Sequence, residues 1–185
     1  AELRPYQHDG FQWLSFLWRQ QLGGVFADDM GLGKTLQSLT LICHARQTDP
    51  TAPPFLIVAP TSVVPNWAAE AARFAPGLRV ATITDTRRRR ARPLAESIAG
   101  ADLVVTSYAV FRIDSDDYST QAWSGLLLDE AQQVKNYLAK TYEAARRLAA
   151  PFKVAITGTP FENNLMELWS LLSITAPGLF PSPVR

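Results

Sequence analysis

The stretch Asp28-Asp29-Met30-Gly31-Leu32-Gly33-Lys34-Thr35 constrains the fold more than any other part of the chain. It follows a short apolar run, Leu22-Gly23-Gly24-Val25-Phe26-Ala27, that reads as a buried strand. It opens a segment, Thr35 to Arg46, whose apolar residues Leu36, Leu39, Ile42 and Cys43 recur at helical spacing. Strand, glycine-bearing loop and helix in that order make a cradle for phosphate. Gly31 and Gly33 let the backbone turn tightly against an anion, and the first turn of the helix adds unpaired N–H groups and its positive dipole end. Lys34 is placed to reach the β- and γ-phosphates of a nucleotide, and the Thr35 hydroxyl to ligate magnesium. Asp28 stands where the commonest form of such a P-loop has its first glycine, so the surroundings must decide the reading.

The rest of the chain alternates in the same way. Phe55-Leu56-Ile57-Val58-Ala59 is an unbroken apolar run ended by Pro60-Thr61-Ser62, as expected for a strand buried on both faces of a parallel sheet. A helix over Val63 to Phe74 follows, then a strand from Arg79 to Thr84. Arg87-Arg88-Arg89-Arg90 and Arg92 read as a solvated loop entering a helix around Leu94 to Ile98. Asp102 to Thr106 is the next strand, Ser107-Tyr108 begins a short helix, and Ile113 to Thr120, with Asp114, Asp116 and Asp117, reads as an exposed acidic loop. Trp123 to Leu128 builds a strand ending on Asp129-Glu130. Tyr137 to Ala150 reads as a helix stopped by Pro151, Lys153 to Thr157 as another parallel-type strand, and Leu165 to Ile174 as a last amphipathic helix. The predicted fold is α/β, a doubly wound, mostly parallel sheet in a three-layer sandwich, with its ligand site at the carboxyl ends of the strands. Near the N-terminus, Phe11, Trp13, Leu14 and Leu17 give an apolar helical face. Gln7 offers the paired donor and acceptor that reading an adenine edge requires.

Composition bounds the alternatives. A length of 185 residues, 47% of them hydrophobic, suits one sizeable core, and a formal net charge of +1 gives no global field for nucleic acid. The lone Cys43 excludes a disulfide framework and a cysteine zinc site. There is no apolar run of the ~18 residues a membrane span needs and no charged-then-apolar leader, so a soluble chain without a membrane partner is expected. Fourteen arginines against four lysines hint at a GC-rich bacterial genome, and hence at a cytoplasmic, nucleoid-associated protein rather than a nuclear one.

Two adjacent carboxylates at the end of a buried strand are unfavourable unless a cation sits there. With the P-loop about a hundred residues earlier, Asp129 and Glu130 complete what nucleotide hydrolysis needs. Thr35 and Asp129 can hold one magnesium between them, while Glu130 orients and deprotonates the attacking water. Six blocks then occur in order: LRPYQ..G at 3–10, DDMGLGKT at 28–35, LIVAPTSVVPNW at 56–67, TSY at 106–108, LLLDEAQQVKN at 126–136 and ITGTPFENNLMELWSLL at 156–172. Together they resemble the first RecA-like lobe of a helicase superfamily-two ATPase of the switch/sucrose-nonfermenting type, over nearly the whole chain. That family writes its loop as two acids followed by Met-Gly-Leu-Gly-Lys-Thr, which accounts for Asp28; Asp29 stands where glutamate is usual.

The resemblance implies roles residue by residue. Gln7 would contact adenine, and Asp29, Met30, Gly31, Leu32, Gly33, Lys34, Thr35 and Leu36 would surround the triphosphate of ATP with its Mg2+. Gln132, where many relatives have histidine, would link the nucleotide to a neighbouring lobe. Thr157-Gly158-Thr159 would couple hydrolysis to movement between lobes. Pro60, Thr61, Thr106, Ser107 and Tyr108 would touch one strand of duplex DNA through its phosphates, although hydroxyls at strand ends also serve as ordinary helix caps. Trp67 and Trp169 read as core. Residues 1–185 would be the first lobe only, with the arginine fingers of a second RecA-like lobe of the same polypeptide needed to complete the ATP site. The function implied is a DNA translocase acting on protein–DNA complexes; a module docking nucleic acid or a protein such as RNA polymerase, with little ATPase, is the alternative.

Overall fold

The computed structural model describes residues 24–27, 34–131, 134 and 138–157. Six strands form one sheet: β1 (Gly24–Ala27), β2 (Phe55–Ala59), β3 (Val80–Ile83), β4 (Leu103–Ser107), β5 (Gly125–Leu128) and β6 (Lys153–Thr157). Their order is β1-β6-β5-β2-β4-β3, and every neighbouring pair is parallel. The helices between them are α1 (Lys34–Thr48), α2 (Val64–Phe74), the short α3 (Arg87–Arg90), α4 (Leu94–Ser97), α5 (Tyr108–Ile113) and α6 (Ser115–Ser119), and then α7 (Leu138–Arg147). Among the described residues no helix is long and apolar enough to cross a membrane.

The period-two geometry of the strands sorts their apolar side chains into two cores. Phe55, Ile57 and Ala59 of β2, with Leu103 and Val105 of β4, pack under α1 and α2. Leu56, Val58 and Val104 face the opposite layer, with Phe111 of α5, Tyr118 of α6 and Ala145 of α7. Strands covered on both faces need no polar alternation, which is why the sequence shows continuous apolar runs. Burying each Leu, Ile, Val or Phe contributes about 1.5–3 kcal/mol, so the two cores are the main support of the sheet. On α1 the buried apolar residues are Leu39, Leu41, Ile42 and Ala45, whereas Leu36 and Cys43 are only half-buried, so the face is turned slightly from the predicted one.

The stretch 113–120 is corrected. It is no exposed loop: Ile113 closes α5 and Ser115–Ser119 form α6, with Tyr118 driven into the core, edge-on to Phe111 and stacked on Trp123. Its acids are structural. The Asp114 carboxylate, itself buried, accepts the Arg87 backbone N–H at 2.7 Å and lies 4.0 Å from the Arg90 guanidinium; Asp117 pairs with Arg87 at 3.1 Å, and Asp116 with Arg147. The arginine run is corrected in part: residues 87–90 are one turn of helix rather than loop, while Arg87, Arg88 and Arg89 are exposed as expected. Arg89 and Arg92 also meet acids, Asp85 and Glu96. Much of its positive charge is thus neutralised within the fold.

At the amino-terminal edge of the sheet, Arg46 staples the loop after α1. It donates to the carbonyls of Pro50 and Ala52 and pairs with Asp102 at 2.8 Å, both side chains being nearly buried. A cavity of about 300 Å³ lies there, between Cys43, Leu78, Arg79 and Asp102. It stands at the opposite edge from the strand ends that carry Asp129 and Ser107.

Candidate nucleotide site

Lys34 is the first residue of α1, and only 6% of its surface is exposed. A buried cation at the positive end of a helix dipole, with no acid in the helix's first turn, is an arrangement suited to an anion. Thr35 follows it, half-buried. Across the sheet, β5 ends at Leu128 and delivers Asp129 to the same carboxyl edge, its carboxylate close enough to feel the Lys34 charge.

Asp129 is 8% exposed, and its environment is specific. The Trp67 indole N–H donates to Oδ2 at 2.8 Å, and the Glu130 backbone N–H to Oδ1 at 2.9 Å. The Asp129 backbone is fixed as well: its N–H donates to the Val58 carbonyl, and its own carbonyl accepts the Tyr108 hydroxyl at 2.7 Å. Burial pushes the carboxyl above its ordinary range. The Trp67 N–H pulls it back, the Glu130 charge pushes it further up, and the Glu130 N–H and Lys34 pull it down without cancelling the rise. Burial therefore leaves this carboxylate at a disadvantage that a divalent cation would relieve. Glu130 has a φ of 49°, in the left-handed region, where a non-glycine residue carries about 1–2 kcal/mol of backbone strain. The chain turns sharply there, and Glu130 stays half-exposed beside its buried neighbour.

The donor set fits a nucleotide-bound magnesium better than a protein-held metal. Among the described residues no group of three or more His, Cys, Asp or Glu could hold a metal ion. One carboxylate and one hydroxyl, completed by phosphate oxygens and water, is how Mg2+ is commonly held. Each Asp129 oxygen accepts one protein N–H and keeps a second lone pair.

Of the other predicted site residues, Gln7, Asp29, Met30, Gly31, Leu32, Gly33, Gln132, Gly158 and Thr159 lie outside the described residues, as does Trp169. Leu36 is half-buried on α1, and the Thr157 backbone ends β6 at the same edge. Pro60 and Thr61 form the turn between β2 and α2, with Thr61 exposed; the Pro60 carbonyl accepts the N–H groups of Val63 and Val64. Thr106, Ser107 and Tyr108 end β4 and begin α5 at the same carboxyl edge; all three side chains are buried and have partners within the fold. Thr106 Oγ1 donates to the Ile83 carbonyl at 2.8 Å, Ser107 Oγ caps α5 by accepting the Val110 N–H at 3.2 Å, and Tyr108 reaches inward to Asp129. Trp67 is core, as its spacing predicts, yet its N–H on Asp129 was not legible in that spacing.

A three-layer parallel sheet with a buried lysine opening a helix and an Asp-Glu pair ending a central strand defines the class of P-loop nucleotide-binding lobes. Comparison narrows it: the pattern of the SNF2-related domain matches residues 6–184, and the chain belongs to that family. It is 42% identical over 180 residues to a putative ATP-dependent helicase/translocase, YwqA, of Bacillus subtilis, covering 97% of this chain and 20% of that protein. It is 39% identical over 189 residues to the TATA-binding protein-associated factor mot1 of Aspergillus fumigatus, covering 96% of this chain and 10% of that one. The Sulfolobus solfataricus SWI2/SNF2 ATPase core in complex with dsDNA superposes with a TM-score of 0.81 at 37% identity, over 96% of this chain and 36% of that chain. The chain thus spans about a fifth of the B. subtilis relative and about a third of the archaeal core. Membership implies nucleotide use.

Proposed function

We propose that this chain is the ATP-binding first lobe of a motor that couples hydrolysis to movement along duplex DNA and acts on DNA-bound proteins. The observation that carries the reading is the buried Asp129 just past the end of β5, within electrostatic reach of Lys34 at the start of α1 and followed by Glu130. In this reading Lys34 and the loop before it neutralise the β- and γ-phosphates, Thr35 and Asp129 hold magnesium, and Glu130 orients the attacking water and accepts its proton. Magnesium would supply charge neutralisation on the phosphate oxygens. The dsDNA-bound archaeal core and the TATA-binding protein-associated relative support duplex DNA and a DNA-bound protein as partners. Pro60 and Thr61 after β2 and Thr106, Ser107 and Tyr108 after β4 are where this reading sets the DNA phosphates, with Thr61 the exposed side chain among them.

A second RecA-like lobe of the same polypeptide, supplying an arginine finger, is part of the proposal; the chain spans 36% of the archaeal ATPase core it resembles. Loss of such a finger lowers turnover by on the order of a thousandfold or more. Residues 1–185 alone should therefore bind ADP and ATP weakly and turn ATP over at a small fraction of the two-lobe rate. Calorimetry and a phosphate-release assay on the 185-residue chain measure both. Robust DNA-stimulated turnover by these residues would contradict the half-site reading.

A further inference from the structure

Asp129 is gripped by two helices that begin at different strand ends. Trp67, on the second turn of α2, is 1% exposed and places its only polar atom on Oδ2, 62 residues away in sequence. Tyr108, the first residue of α5, is 6% exposed and places its hydroxyl on the carbonyl of the same residue. Buried Trp and Tyr usually find a partner for their polar end, but any carbonyl would serve. Here both partners belong to one residue, the buried carboxylate of the site.

We propose that Trp67 and Tyr108 are positioning residues that hold Asp129 in the orientation needed by a nucleotide-bound divalent cation. The inference rests on the nucleotide-hydrolysis reading above. The indole N–H on Oδ2 and the Glu130 N–H on Oδ1 pin both oxygens, so the carboxylate cannot rotate about its χ2 without losing a bond. One lone pair on each oxygen is left for the cation or its water shell. Tyr108 fixes the backbone from which that side chain springs. Groups that orient metal ligands in this way commonly change metal affinity by about 10–100-fold when removed.

The test compares wild type with Trp67→Phe and Tyr108→Phe in the full-length polypeptide. Both variants keep an aromatic ring and delete the polar atom. ADP binding is measured by calorimetry without metal and across a Mg2+ titration, and thermal melts report folding. The expected result is unchanged metal-free ADP affinity, with the half-saturating Mg2+ concentration raised about tenfold in Trp67→Phe and by a smaller factor in Tyr108→Phe. The Trp67 indole N–H resonance, assigned by its loss in Trp67→Phe, should move when Mg2+ joins bound ADP and stay in place with ADP alone. Wild-type Mg2+ dependence in both folded variants, or an equal loss of affinity with and without metal, would make the two rings core side chains only and overturn the proposal. Should Trp67→Phe not fold, the Tyr108→Phe titration decides between the same outcomes. If wild-type ADP binding itself ignores Mg2+, the nucleotide reading fails and takes this proposal with it, a result distinct from failure of the variants alone.

Discussion

Gly125 opens β5 opposite Phe55 of β2, and a Cβ built there would lie 2.9 Å from Phe55 Cδ1 and Cε1 and 2.9 Å from Phe152 Cδ1. Both rings are fully buried beneath α1 and α2, so neither can swing into solvent to make room. Overpacking a tight core typically costs about 1–3 kcal/mol. Replacing a strand glycine by alanine recovers roughly 0.5–1 kcal/mol of chain entropy. Gly125→Ala should therefore destabilise the fold by about 1–2 kcal/mol, and at roughly 2–4 °C per kcal/mol for a chain of this size the melting temperature should fall by about 2–8 °C. Gly77 is the control: nothing lies within 4 Å of the position its Cβ would take, and Gly77→Ala should be neutral or stabilising by up to about 1 kcal/mol. Thermal melts and urea titrations of the three proteins measure the differences, with an unchanged urea slope marking a true stability effect. A Gly125→Ala protein melting at or above the wild-type temperature would refute the argument that these rings leave no room.

Two further perturbations probe the scaffold around the site. Burial raises the Asp102 carboxyl, but the Arg79 backbone N–H and the Arg46 and Arg79 guanidinium groups outweigh it and hold it below 3.8. Its stabilisation is therefore fully present above that value and is lost as pH falls through the lower folded value, so the stability gap between wild type and Asp102→Asn should be constant near neutrality and shrink below about pH 4. Urea melts across pH 3–7 report this, and a gap that widens in acid would contradict it. Asp114→Ala removes the acceptor for the Arg87 N–H and the partner of the nearly buried Arg90, and should cost about 2–3 kcal/mol in urea melts. A change of a few tenths would mean that α3 and α6 are held by packing alone.

Much of this was legible from residue pattern. A parallel strand covered on both faces has to be apolar throughout, so Phe55–Ala59 and Leu126–Leu128 announce themselves, and the acids that follow Leu128 stand out because nothing in such a strand end tolerates them without a partner. Strand order was not legible, since β2 sits between β5 and β4 through packing that no local pattern encodes. The 113–120 stretch misled because its acids dominate the local reading, although Tyr118 directly after them was the available sign of a buried face. Thr106, Ser107 and Tyr108 show the opposite ambiguity: a hydroxyl at a strand end looks alike whether it caps a helix, bonds a neighbouring strand or meets a phosphate. The Trp67 bond to Asp129 joins residues 62 apart, and helical spacing records only that Trp67 faces inward.

The most direct test of the central claim is ATP turnover by the polypeptide extended through the proposed second lobe, with duplex DNA, single-stranded DNA, RNA or no nucleic acid, beside a Glu130→Gln control. Stimulation by duplex DNA, abolished in Glu130→Gln, is the predicted result. Turnover that responds to none of the three nucleic acids, or that survives in Glu130→Gln, would contradict the account and favour a docking module over a motor.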